Sequence, residues 1–94
     1  MTEKLQTFMA GRWRDASGPE YSTEYPHDGS SVARLHAATA ADVDEAVQAA
    51  ERARLQPAWA RLKHHERAGM LYRIAQGIRE LSEELAQLQR LDNG

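Results

Sequence analysis

Four histidines, two adjacent glutamates and a run of arginines are the residues here that could do chemistry. His64 and His65 are neighbours. On a helix, adjacent side chains point about 100° apart, so the pair would serve one metal ion poorly and reads as a solvated helix start. His27 and His36 stand in separate segments and read as turn or surface residues. Glu83 and Glu84 could be paired carboxylates for acid–base work, but such pairs at a helix start more commonly face the helix dipole. Residues 51–80 hold seven Lys/Arg against three Glu. A phosphate-binding face running from Arg52 to Arg79 is one reading, and an ion-paired, solvated helix surface is the better one. There is no cysteine, which excludes disulfides, thiolate metal sites and a cysteine nucleophile within these residues. The glycines form neither a G-x-G-x-x-G nor a P-loop pattern.

The elements that would hold any site follow from composition and spacing. Ninety-four residues make one domain at most. The formal charge of −2 gives no electrostatic reason to expect nucleic acid as a partner. No apolar run approaches the ~20 residues that span a bilayer. The opening "MTEKLQTFMA" has no signal-peptide apolar core. A cytoplasmic chain without a membrane partner is the expectation.

The chain divides near Thr39 into a β-hairpin region, 1–38, and a helical region, 39–94. Together they make one incomplete domain. "QTFMAGRWRDAS" sets Phe8 and Trp13 about Ala10-Gly11, which suits a tight hairpin. "YSTEY" is rich in strand formers, "PHDG" is a turn, and "SSVARLHAA" alternates like a half-buried strand. "TAAD" from Thr39 resembles a capping box that opens a first helix. Val43, Ala46, Val47 and Ala50 then predict one buried stripe. Pro57 ends or interrupts that helix, and Trp59 and Leu62 are expected in a short turn pressed onto the stripe. A second helix is predicted from about His65 to Leu81, and a third with Ser82 as its N-cap. Met70, Leu71, Ile74, Ile78, Leu81, Leu85, Leu88 and Leu91 supply more apolar surface than the hairpins and first helix can cover. Something else is expected to cover it.

In order, "FMAGRW", then "EYPHDGSSVARLHAATAADVDEAVQAAERA", then "PAWARLKHHERAGMLYRIAQGIRELSEELAQLQRLDNG" resemble the N-terminal segment of the NAD(P)-dependent aldehyde dehydrogenase superfamily. The resemblance runs along nearly the whole chain and lies in the ordered set rather than in one motif. Tyr25 stands where the family usually has Asn before the turn proline. The resemblance implies an α+β fragment of the α/β cofactor-binding domain: short hairpins and strands, then two to three helices. It implies that "LDNG" at 91–94 is an edge past which a parent chain continues. It also implies a parent reaction, NAD(P)-linked oxidation of an aldehyde to an acid through a cysteine thiohemiacetal. The catalytic cysteine, the glutamate base and the dinucleotide-binding glycines would lie beyond these residues.

On this basis the 94-residue chain alone is expected to be inactive and to bind neither NAD nor NADP. Its expected partner is the rest of an aldehyde dehydrogenase chain. Some family members hold a structural monovalent cation with backbone carbonyls before the turn and the aspartate of "LDNG". On this sequence those positions are Thr23, Glu24 and Asp92, and carbonyl and carboxylate oxygens suit a hard cation. A helical interaction module that self-associates, or binds another chain through its apolar face, is the alternative.

Overall fold

The computed structural model describes residues 3–94. Five short strands precede four helices: β1 (Glu3–Lys4), β2 (Thr7–Met9), β3 (Arg12–Arg14), β4 (Glu20–Glu24), β5 (Ser31–His36), α1 (Ala40–Leu55), α2 (Pro57–Ala60), α3 (His64–Glu80) and α4 (Ser82–Asn93). This is the expected α+β order, with the Pro57 turn formed as a fourth, one-turn helix.

The first hairpin pairs Phe8 with Trp13 and Met9 with Arg12. Its two-residue loop has positive φ at both positions, 52° at Ala10 and 77° at Gly11. That is the mirror-image turn whose twist matches the strands. Gly11 adopts it freely, whereas Ala10 pays for its Cβ. Ala10→Asn is therefore expected to stabilise the chain by about 0.5–1 kcal/mol in urea unfolding.

A second sheet has the order β1-β5-β4. β4 and β5 are antiparallel across the Pro26–Gly29 turn, with an irregularity where Thr23 faces Ala33 but Glu24 faces Ser31. Gly29 closes the turn at φ 75°. Asp28 accepts from the Ser30 hydroxyl at 2.6 Å and its N–H at 2.9 Å. Those bonds hold its carboxyl below the ordinary range. β1 lies parallel to β5, with Glu3 opposite Ala33. A two-residue strand has no periodicity to read, so this long-range pairing is not among the sequence expectations.

α1 begins in a capping box: the Asp42 N–H donates to Thr39 Oγ1 at 3.3 Å, and the Thr39 N–H donates to Asp42 Oδ2 at 2.9 Å. α3 starts at His64, with the Lys63 N–H donating to Glu66 at 3.0 Å. The break after it falls at Leu81, which takes the cap position of α4, so Ser82 is the first helical residue and not the N-cap. The Leu81 side chain offers no acceptor, and the backbone bonds on either side of the break meet at this residue, the last of α3 at its N–H and the first of α4 at its carbonyl. Leu81 N–H donates to Gly77 at 3.1 Å, and Leu85 N–H to Leu81 at 2.9 Å.

The apolar residues are largely uncovered. Among the described residues only Ala16 and Ala33 form a buried apolar core. The α1 stripe is not buried as expected: Val43 and Val47 are 56% and 62% exposed. Trp59 lies beneath the Arg67 guanidinium, which is 4.9 Å from its ring centroid. The radius of gyration is 17.0 Å, against about 12 Å for a compact chain of this length. The molecule is a slab 16 Å thick in its thinnest direction, with both helical surfaces open. The physical reason is supply: ten or more large apolar side chains have no second layer to pack against.

Candidate functional site

Two polar constellations organise the slab. The first centres on Asp42, which is 7% exposed at the first turn of α1. Besides the Thr39 N–H, its carboxylate accepts from the Ser17 N–H at 2.9 Å and the Ser17 hydroxyl at 2.8 Å. Arg14 reaches it from β3 at 3.4 Å and bonds Glu45 at 2.8 Å. Ser17 and Thr39 hydroxyls meet at 2.8 Å. The N–H groups of Thr39 and Ser17 and the Ser17 hydroxyl hold the Asp42 carboxyl far below the ordinary carboxylate range. This is a clasp. It joins the hairpin, the loop behind it and the start of α1, and it occupies donors at the helix start that an external anion would need. The sequence shows the capping pair but not Ser17 or Arg14, because both lie more than twenty residues away.

The second constellation forms where α4 returns to the sheet. Arg90 donates to the Tyr25 hydroxyl at 3.1 Å and lies over its ring, 5.7 Å from the centroid. Gly94, at φ 78°, ends the helix against Pro26, where an added Cβ would sit 3.2 Å from the Pro26 Cβ. These contacts hold α4 over β4 and β5 and leave a groove of about 460 Å³ between them. Leu5, Val32, Leu35 and Leu88 line it, together with Thr23, Glu3, Glu84 and Asp92. Of the three positions implied for a cation, Thr23 and Asp92 face this groove, whereas Glu24 does not line it. The Thr23 hydroxyl is buried without a hydrogen-bond partner.

The remaining candidates stay apart. His27 sits beside Tyr25, ring centroids 5.6 Å apart. The His36 Nδ1–H donates to the Gly18 carbonyl at 2.8 Å and ties the loop to β5. His64 and His65 open α3, and Glu83 and Glu84 fall in the first turn of α4. Among the described residues, no three of His, Asp and Glu cluster closely enough to hold a metal ion. Among the described residues, no helix is long and apolar enough to cross a membrane.

Comparison with known proteins assigns the family. The aldehyde dehydrogenase family model matches residues 13–94. Human mitochondrial 10-formyltetrahydrofolate dehydrogenase is 41% identical over 90 residues, which are 95% of this chain and 10% of that protein. Betaine aldehyde dehydrogenase 1 of Rhizobium meliloti is 40% identical over 92 residues, 97% of this chain and 18% of that protein. The chain thus spans between a tenth and a fifth of the length of these relatives. No solved structure matches it significantly. With the family model covering all but the first twelve residues and identities near 40%, the chain belongs to the aldehyde dehydrogenase family.

Proposed function

We propose that this chain is the N-terminal segment of an NAD(P)-dependent aldehyde dehydrogenase and contributes a scaffold, not catalytic groups, to oxidation of an aldehyde to a carboxylic acid. The observation that carries this is the match over residues 13–94, joined to a slab whose helices lack a covering layer. The rest of a parent chain supplies that layer, the cysteine nucleophile and the cofactor site. The described residues do not fit a dinucleotide. The passage from β5 into α1 runs through Ala37, Ala38 and Thr39 without a glycine, and Asp42 sets a carboxylate where a pyrophosphate would need donors. The expected compartment is the cytoplasm.

The test is complementation. A relative such as the Rhizobium meliloti betaine aldehyde dehydrogenase, deleted for its matching segment, is co-expressed with this chain, and aldehyde-dependent NAD(P)H formation is followed at 340 nm. The chain alone is expected to give no turnover, and the pair to regain activity that the deleted enzyme lacks. Turnover by the purified 94-residue chain would overturn the reading, and so would failure of the pair to form.

The cation site belongs to the same reading. Thr23 and Glu24 carbonyls and the Asp92 carboxylate would hold a sodium or potassium ion. The support is that Thr23 and Asp92 line one groove, whose other lining is largely apolar but includes Glu3 and Glu84. Replacing sodium and potassium by choline is expected to lower the melting temperature of the complemented enzyme by a few degrees. Asp92→Ala is expected to remove that dependence.

A further inference from the structure

Asn93 is the only asparagine in the sequence, and a glycine follows it. A glycine has no Cβ to hinder attack of its own amide nitrogen on the preceding side chain, so the pair is prone to ring closure. In that reaction the Gly94 nitrogen bonds to Asn93 Cγ and the Cγ–Nδ2 bond breaks. Ammonia leaves with the former amide proton, and a succinimide remains. Water then opens one of the two imide carbonyls and leaves aspartate or isoaspartate at position 93. Water is the only co-reactant, and nothing is oxidised or reduced.

The fold holds this pair closed. Asn93 is exposed and is the last residue of α4. The Gly94 N–H donates to the Arg90 carbonyl at 2.9 Å. Ring closure requires that N–H to be freed and its amide plane to turn about the Asn93 Cα–C bond. Neither happens while the helical bond is made. That bond lies at the helix end, where opening costs least. What steadies the end is its seat on the sheet: Arg90 on the hydroxyl and ring of Tyr25, and Gly94 against Pro26. Asp28-Gly29 is a built-in contrast. There the Gly29 N–H donates to the Tyr25 carbonyl at 2.8 Å, and the Ser30 N–H and hydroxyl occupy the carboxylate as well.

We propose that Asn93-Gly94 is a succinimide-forming modification site gated by the seat of α4 on Tyr25 and Pro26, closed while Gly94 bonds Arg90 and reactive whenever the helix end opens. The product works against that seat. It adds a carboxylate beside Asp92 at the negative end of the helix dipole. Its isoaspartyl form also lengthens the main chain by a methylene just where Gly94 meets Pro26. The inference goes beyond the proposed function and does not rest on it.

The test incubates the 94-residue chain at mildly alkaline pH, in buffer and in guanidinium chloride. Peptide mapping follows the Asn, Asp and isoaspartyl forms at position 93. The covalent neighbours are the same in both arms, so the ratio of rates isolates the structure. Conversion is expected in denaturant and at least about tenfold more slowly in buffer. Tyr25→Ala leaves the sequence of α4 untouched and is expected to speed the reaction in buffer by about three- to tenfold. Tyr72→Ala, on the exposed surface of α3, is expected to leave the rate unchanged. Circular dichroism on each variant verifies that the helices persist. No isoaspartate is expected at Asp28 in buffer. Equal rates in buffer and denaturant, no conversion in either, or a Tyr25→Ala rate equal to that of wild type would overturn the gated site.

Discussion

Asp42→Ala is expected to unclasp the hairpin from α1 and to lower the melting temperature by on the order of 10 °C. The change strips acceptors from the Thr39 N–H, the Ser17 N–H and the Ser17 hydroxyl at once, and leaves Glu45 as the remaining carboxylate on Arg14. Asp42→Asn keeps one acceptor oxygen and is expected to cost less. Amide exchange locates the effect: protection at Ser17 and Thr39 is lost first, while α3 keeps its own. A pH series adds a signature. The folded carboxyl is held below its ordinary value near 3.8, so the folded state binds fewer protons than the unfolded one. The stability that Asp42 contributes is complete above that value and declines as pH falls through the lower, folded-state range. The gap between wild type and Asp42→Ala is therefore widest at neutral pH and narrows below about pH 4. A gap that does not change with pH would show that the carboxylate charge is not what the clasp uses.

Gly18→Ala is the second large effect, expected to cost about 2–4 kcal/mol in urea unfolding. A Cβ there would overlap the Ala37 carbonyl oxygen and lie 3.1 Å from its carbon. Neither atom is the far end of a side chain, so no rotamer relieves the clash. The backbone must move, and with it three bonds that seal the loop against the end of β5. Those are Gly18 N–H to Ala37 at 2.9 Å, Ala37 N–H to Pro19 at 2.9 Å, and His36 Nδ1–H to Gly18 at 2.8 Å. Gly77→Ala is the contrast, since open space surrounds that position. If the two substitutions cost the same, close backbone approach at Gly18 is not the reason for glycine there.

The local signals in the sequence were sufficient wherever a few neighbouring residues decide the conformation. Ala10-Gly11 closes the hairpin because a two-residue loop needs positive φ. Thr39 and Asp42 start α1 because each satisfies the other's backbone donor. Pro57 interrupts the helical run because it cannot continue the hydrogen-bond ladder. Predictions that assumed a complete core failed. Val43 and Val47 have the period of a buried stripe, but burial also requires a facing layer, which the described residues do not provide. Ser82 has the residue type of an N-cap, but the helix breaks one residue earlier, at Leu81, whose side chain cannot cap.

By itself, the sequence determined the order of the elements from the first hairpin onward, the turns, the lack of a cysteine nucleophile, the surplus of apolar helix surface and the family. These depend on short-range geometry, on residue identity or on ordered resemblance. Only the tertiary structure decided that Ser17 and Arg14 converge on Asp42, and that β1 lies beside β5. It also brought α4 back over Tyr25, so that Thr23 and Asp92 face one groove. Each of those contacts joins residues far apart in the chain. Their pairing carries no periodic signature, because loop closure and packing, not local propensity, select the partner.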